Sequence, residues 1–95
     1  MQISIDDLRA FLSVVKLGSF AAAADELFIT PPALSRRIKK LENIVGEPLF
    51  ERTTHVVALT STGQALLERG KITLREFEDF HRFAENLAHC ALIRL

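Results

Sequence analysis

The sequence predicts a mainly α-helical fold: three short helices and a small β-hairpin, followed by one long helix. Three observations carry this. Apolar residues recur at helical spacing in four stretches of the 95-residue chain. The first three stretches begin or end on residues that start or stop helices. One segment, Gly46 to Thr60, breaks the helical period and carries a strand-like composition.

The first helix is expected from about Ile5 to Leu17. Leu8, Phe11, Leu12 and Val15 share a face, and Asp6 and Asp7 suit the positive end of the helix dipole. Gly18 stops it where a left-handed residue is favoured. Ser19 caps the second helix, Phe20 to Leu27, which is short and alanine-rich. Alanine has the best helix propensity and adds little bulk, so the run Ala21 to Ala24 predicts tight packing beneath a neighbouring helix.

Thr30 caps the third helix. Pro31 and Pro32 follow in its first turn, where a missing N–H costs nothing. The helix runs to Val45 and stops at Gly46. Leu34, Ile38, Leu41 and Val45 form an apolar stripe, and Ser35, Arg36, Lys39 and Lys40 fall off it. This helix therefore has one buried and one basic face.

Pro48 keeps the next segment out of a helix. A short hairpin is expected, with limbs near Leu49 to Arg52 and Val56 to Leu59 and a turn near Thr53 and Thr54. Thr60 or Ser61 then caps a long last helix. A helix of about 27 residues would span roughly 40 Å. Leu66, Leu67, Gly70, Leu74, Phe77, Phe80, Ala84, Leu87, Ala88 and Ala91 follow one broad face. A small domain cannot cover so long a face, so pairing with a second copy is the simple inference. Leu66, Leu67, Leu74, Phe77, Phe80, Ala84 and Leu87 are the candidate dimerisation residues. Some of the phenylalanines Phe77, Phe80 and Phe83 are expected to pack on the first helix instead.

Composition narrows the function. The length excludes a two-domain α/β enzyme. Lys+Arg and Asp+Glu are both 12, so only the distribution of charge can point to nucleic acid. The single cysteine, Cys90, excludes an internal disulfide. No apolar run approaches the roughly 18 residues of a membrane span, and the first residues do not read as a signal peptide, so a cytoplasmic location is expected. Catalysis has no support. Gly18, Gly46, Gly63 and Gly70 are isolated, and Ser35 has no adjacent base. His55, His81 and His89 form no metal-ligand spacing with Cys90. No metal and no cofactor are expected.

A helix, a tight turn and a basic second helix make a helix-turn-helix plan, whose second helix enters the major groove of DNA. Base-contacting side chains should lie near that helix's start, where free N–H groups also attract phosphate. The candidate DNA-binding residues there are Thr30, Pro31, Pro32, Ser35, Arg36 and Lys39. Arginine can bond twice to a guanine edge, serine can bond base or phosphate, and the prolines could meet a thymine methyl. Between Thr30 and Leu41 the ionisable residues are Arg36, Arg37, Lys39 and Lys40, with no acid. A solvated helix face could carry the same run; the cap, the prolines and the turn favour DNA. The hairpin reads as a wing, with Arg52 and His55 near its tip for backbone or minor-groove contact.

Gly18-Ser-Phe-Ala-Ala-Ala-Ala-Asp-Glu-Leu27, Ile29-Thr-Pro-Pro-Ala-Leu-Ser-Arg-Arg-Ile-Lys-Lys-Leu-Glu42, Gly46-Glu-Pro-Leu-Phe-Glu-Arg52 and Leu59-Thr-Ser-Thr-Gly63 resemble the N-terminal domain of LysR-type transcriptional regulators. The resemblance covers about residues 3 to 88. It implies a winged helix-turn-helix over residues 1–60, with the helix-turn-helix proper at about 20–39. A linker helix over 61–95 would pair two subunits antiparallel. Ser35 and Arg36 match the family's serine–arginine pair, and Arg52 matches its wing arginine. Pro31 stands where the family often has a base-reading glutamine, and His55 where it often has a second wing arginine.

The resemblance further implies an effector-binding domain after the linker helix. These residues do not contain it, so a small-molecule effector is expected to act only through that missing domain. The chain is expected to be either an expressed fragment or a truncated natural form. The expected partners are double-stranded DNA and a second copy, as a dimer, with a tetramer open for a full-length form. The alternative is an interaction module that pairs with full-length regulators through the last helix without regulating anything itself.

Overall fold

The computed structural model describes residues 2–52 and 57–93. Four helices and two strands occur in the order α1 (Ile5–Leu17), α2 (Phe20–Glu26), α3 (Pro31–Val45), β1 (Phe50–Arg52), β2 (Val57–Leu59) and α4 (Ser61–Ile93).

Local chemistry sets the helix boundaries. Ser4 Oγ accepts the Asp7 N–H at 3.1 Å while Asp7 Oδ2 accepts the Ser4 N–H at 2.9 Å, a reciprocal capping box that opens α1. Gly18 closes it in the left-handed region at φ 67°, its N–H donating to the Val14 carbonyl. Ser19 caps α2 through the Ala22 N–H. Thr30 caps α3 through the Ala33 N–H, ahead of Pro31 and Pro32. Gly46, at φ 87°, closes α3.

The turn between α2 and α3 is a Schellman motif. The Ile29 N–H reaches the Ala24 carbonyl at 3.0 Å and the Phe28 N–H reaches that of Asp25 at 3.2 Å. Phe28 occupies the left-handed position at φ 57°, a place glycine usually takes. Leu27 therefore caps α2 and does not extend it, so the helix is one residue shorter than the sequence predicts.

Phe11, Val14, Ala23, Ala24, Leu34, Ile38, Leu41, Leu49, Phe50 and Leu67 form one buried core. The alanine run packs as expected on one side only: Ala23 and Ala24 are buried, and Ala21 is exposed. Phe50 closes the core from the hairpin, with ring centroids 5.5 Å from Phe11 and 5.6 Å from Phe20. The strands are antiparallel, with Phe50 opposite Leu59 and Arg52 opposite Val57. The first limb starts one residue later than expected, at Phe50, while Val56 and the turn at Thr53 and Thr54 lie outside the described residues.

Thr60 fixes the start of α4. Its hydroxyl donates to the Pro48 carbonyl at 2.7 Å and accepts the Gly63 N–H at 3.0 Å. α4 has 33 residues, longer than the sequence predicts, because no breaker interrupts it. It sets the long axis of a molecule measuring 58 × 25 × 24 Å. Among the described residues, no helix is long and apolar enough to cross a membrane.

Candidate nucleic-acid interface

α3 presents one face to solvent. Leu34, Ile38 and Leu41 face the core and are buried, which turns Pro31, Pro32, Ser35, Arg36 and Lys39 outward, all exposed. Thr30 is exposed too, its side-chain oxygen already engaged in the cap. The six candidates on this helix thus share one accessible surface around its N-terminal end. Arg52 closes β1, and His55 lies outside the described residues.

The four cations of α3 split into two pairs. Arg37 Nη1 lies 3.4 Å from Asp7 Oδ1, and Lys40 Nζ lies 2.8 Å from Asp7 Oδ2. Among the described residues, Arg36 and Lys39 make no ion pair. The spacing predicts one basic face; the fold neutralises part of it from α1. Burial would raise the Asp7 carboxyl, but hydrogen bonds from Lys40 and from the Ser4 amide and hydroxyl hold it below the usual carboxylate range.

A second polar contact braces α1 against the end of α2. The Ser13 hydroxyl donates to Glu26 Oε2 at 2.6 Å and Lys16 Nζ approaches Oε1 at 3.3 Å. The Ser13 hydroxyl, with Lys16, lowers the Glu26 carboxyl. Past Gly46, Glu42 Oε2 accepts the Leu49 N–H at 2.9 Å, tying α3 to the hairpin.

On α4, the candidate pairing residues divide along the helix. Leu67 is buried in the domain's own core, Leu66 packs against it, and Leu74 and Phe77 are half-buried. Arg9 lies over the Phe77 ring, 6.0 Å from its centroid, and pairs with Glu78 at 3.4 Å. Beyond that point Phe80, Phe83, Ala84 and Leu87 are exposed, Phe80 at 71%. Of the three phenylalanines, Phe77 alone uses the domain's own α1. Among the described residues, no group of His, Cys, Asp or Glu side chains could hold a metal ion.

Sequence reasoning missed Asp7 and Phe28. Asp7 reads as an ordinary first-turn acid, and nothing in spacing links it to cations thirty residues away. Phe28 gave a faint signal, since a turn two residues before a cap is a place for glycine or asparagine.

The helix pair, the hairpin and the exposed α3 face together define a winged helix-turn-helix domain. Residues 5–64 match the family described as bacterial regulatory helix-turn-helix protein, lysR family, and the chain belongs to that family. It is 40% identical over 97 residues to the uncharacterized HTH-type transcriptional regulator y4mQ of Sinorhizobium fredii, covering 93% of this chain and 32% of that protein. It is 41% identical over 86 residues to the probable HTH-type transcriptional regulator YhaJ of Escherichia coli, covering 90% and 29%. The chain thus spans about a third of the length of these curated relatives. Among solved structures it resembles the BenM DNA-binding domain in complex with catB site 1 DNA, at TM-score 0.83 and 33% identity, covering 90% of this chain and 94% of that one. It also resembles the CbnR DNA-binding domain in complex with DNA, at TM-score 0.80 and 29% identity, covering 90% and 98%.

Proposed function

We propose that this chain binds double-stranded DNA sequence-specifically for transcription regulation, as a dimer. The observation that carries the reading is the exposed face of α3, where Ser35, Arg36 and Lys39 project beside two prolines and the core stripe faces the other way. A helix so presented fits the major groove, with its first turns nearest the bases. Arg36 is the direct base reader, through two bonds to a guanine edge. Ser35, Lys39 and the Thr30 end of the helix position the protein on phosphate or read neighbouring bases, with Pro31 and Pro32 as apolar contacts. Arg52 and His55 serve the wing at the backbone or minor groove. The resemblance to two domains whose structures are DNA complexes supports this reading.

Residues 1–60 are the reading unit and residues 61–95 the pairing helix, whose first turns also brace the reader through Leu67. Dimerisation rests on continuity: the face that covers α1 at Leu74 and Phe77 continues past Glu78 as Phe80, Ala84 and Leu87 with nothing from its own domain over it. A small-molecule effector would act through a domain outside these residues. No catalytic step is assigned to the chain, and its relatives are named as regulators.

The test is selection from random duplex DNA by the chain and by its Arg36→Ala variant. Enrichment of a dyad-symmetric site by the parent, lost in the variant, is the expected result. Loss of one bidentate reader costs about 1–3 kcal/mol of discrimination. Retention without enrichment would reduce the function to phosphate binding. No retention by either protein, with the pairing of α4 intact, would favour the interaction module.

A further inference from the structure

The carboxylate of Asp7 sits where α1 meets the middle of α3. It is 1% exposed, and both of its oxygens are occupied. Oδ2 accepts the Ser4 N–H at 2.9 Å and meets Lys40 Nζ at 2.8 Å; Oδ1 meets Arg37 Nη1 at 3.4 Å. The capping box holds the acid from its own side, since the Asp7 N–H is bound to Ser4 Oγ. The acid is thus anchored before it meets either cation. Advancing about 100° per residue around α3, the cations follow in the order Lys39, Arg36, Lys40, Arg37. Asp7 therefore engages the pair on one side and leaves the other pair to solvent.

We propose that Asp7 is a positioning residue for the DNA-facing surface: it holds Arg37 and Lys40 against α1, withdraws them from phosphate, and leaves Arg36 and Lys39 as the cations of α3 that meet DNA. This rests on the reading of the chain as a DNA-binding domain. The consequence is thermodynamic. Each phosphate neutralised by a protein cation releases condensed counterions and steepens the dependence of log K on log salt by about 0.9. The single Asp7 carboxylate offsets one of the two positive charges and holds both cations at α1, away from phosphate, so neither adds to that release. Asp7 thus lowers the non-specific share of binding and raises the share that depends on base contacts.

The experiment is fluorescence anisotropy on a mixed-sequence duplex over a series of salt concentrations. The proteins are the parent chain, Lys39→Gln, Lys40→Gln, Asp7→Asn and the double variant Asp7→Asn/Lys40→Gln, each checked for helicity by circular dichroism. Lys39→Gln is expected to make the slope shallower by about one unit and Lys40→Gln to leave it unchanged. Asp7→Asn is expected to steepen it by about one to two units, and Lys40→Gln in that background to remove about one of those units. A merely structural role for Asp7 would weaken binding without steepening the slope. The proposal is overturned if Lys40→Gln flattens the slope as much as Lys39→Gln, or if folded Asp7→Asn shows the parent's slope or a shallower one. Should Asp7→Asn fail to fold, the two lysine variants decide alone. Failure of the DNA-binding reading looks different: the parent chain itself stays unbound at the lowest salt, and both conclusions fall.

Discussion

A Cβ placed on Gly63 would stand 2.2 Å from the carbonyl oxygen of Leu49 and 2.8 Å from Leu59 Cδ2. The same carbonyl accepts the Thr60 N–H at 3.0 Å. The start of the hairpin, the cap of α4 and the first turn of α4 therefore share one contact point. Alanine would gain helix propensity of about 1 kcal/mol over glycine, but a backbone oxygen cannot rotate away as a side chain can. Gly63→Ala is expected to destabilise the domain by a net of about 2 kcal/mol, or roughly 10 °C in Tm for a chain this size. Thermal unfolding by circular dichroism checks this; an unchanged Tm would mean that α4 can slide off Leu49 at no cost.

Phe28 presents the opposite case, a residue whose replacement should help. It holds the left-handed position of the α2–α3 turn at φ 57° with 95% of its surface exposed. A bulky side chain in that region is strained by about 1 kcal/mol, and this one recovers little through packing. Phe28→Asn keeps the Schellman hydrogen bonds, suits the left-handed backbone and removes an exposed ring. Tm is expected to rise by about 4–8 °C. A fall would reveal packing of the ring in solution, against a second copy for instance.

Much of this architecture is legible in the sequence because its boundaries are written in single residues. Ser19, Thr30, Gly18 and Gly46 start or stop helices by local hydrogen bonding and backbone conformation, so α1 and α3 fall where the sequence predicts them. The α3 surface is equally readable, since the stripe Leu34, Ile38, Leu41 fixes what faces outward. Relations between elements are less accessible. Charge counting treats Arg37 and Lys40 as equal to Arg36 and Lys39, and only the approach of Asp7 from α1 separates them. Periodicity likewise groups Leu67 with Phe80 on α4, although the first lies in the core and the second in solvent; how far the small domain reaches along the helix decides that, and no spacing encodes it.

The Asp7 contact also predicts an acid response. Burial pushes its carboxyl upward, but Lys40 and Ser4 outweigh that, and the folded value is lowered. A lowered carboxyl contributes stability that is fully present above the unfolded value, near about 3.9, and is lost as pH falls through the folded value. The Tm of the parent chain is therefore expected to exceed that of Asp7→Asn near neutral pH, and the gap to close as the solution is acidified below about pH 4. Unfolding curves for both proteins across that range are the measurement. A gap that persists at the acid end would assign the stabilisation to the shape of the side chain, since asparagine then lacks something other than charge.

The exposed end of α4 gives the last expectation. Phe80, Phe83 and Leu87 lie beyond the reach of α1, and none of them belongs to the buried core. Aromatic side chains bury about 150–250 Å² each when covered, so leaving two of them and a leucine in water is unfavourable for a monomer. Replacing Phe80 and Phe83 together with serine should leave the winged domain folded and shift the chain from dimer to monomer in analytical ultracentrifugation. Its Tm should also lose any dependence on protein concentration, because association stabilises the folded state by mass action. DNA binding should weaken with it, two half-sites no longer being held by one assembly. A parent chain that sediments as a monomer at all concentrations would remove the pairing role from this face and leave each winged domain to read DNA alone.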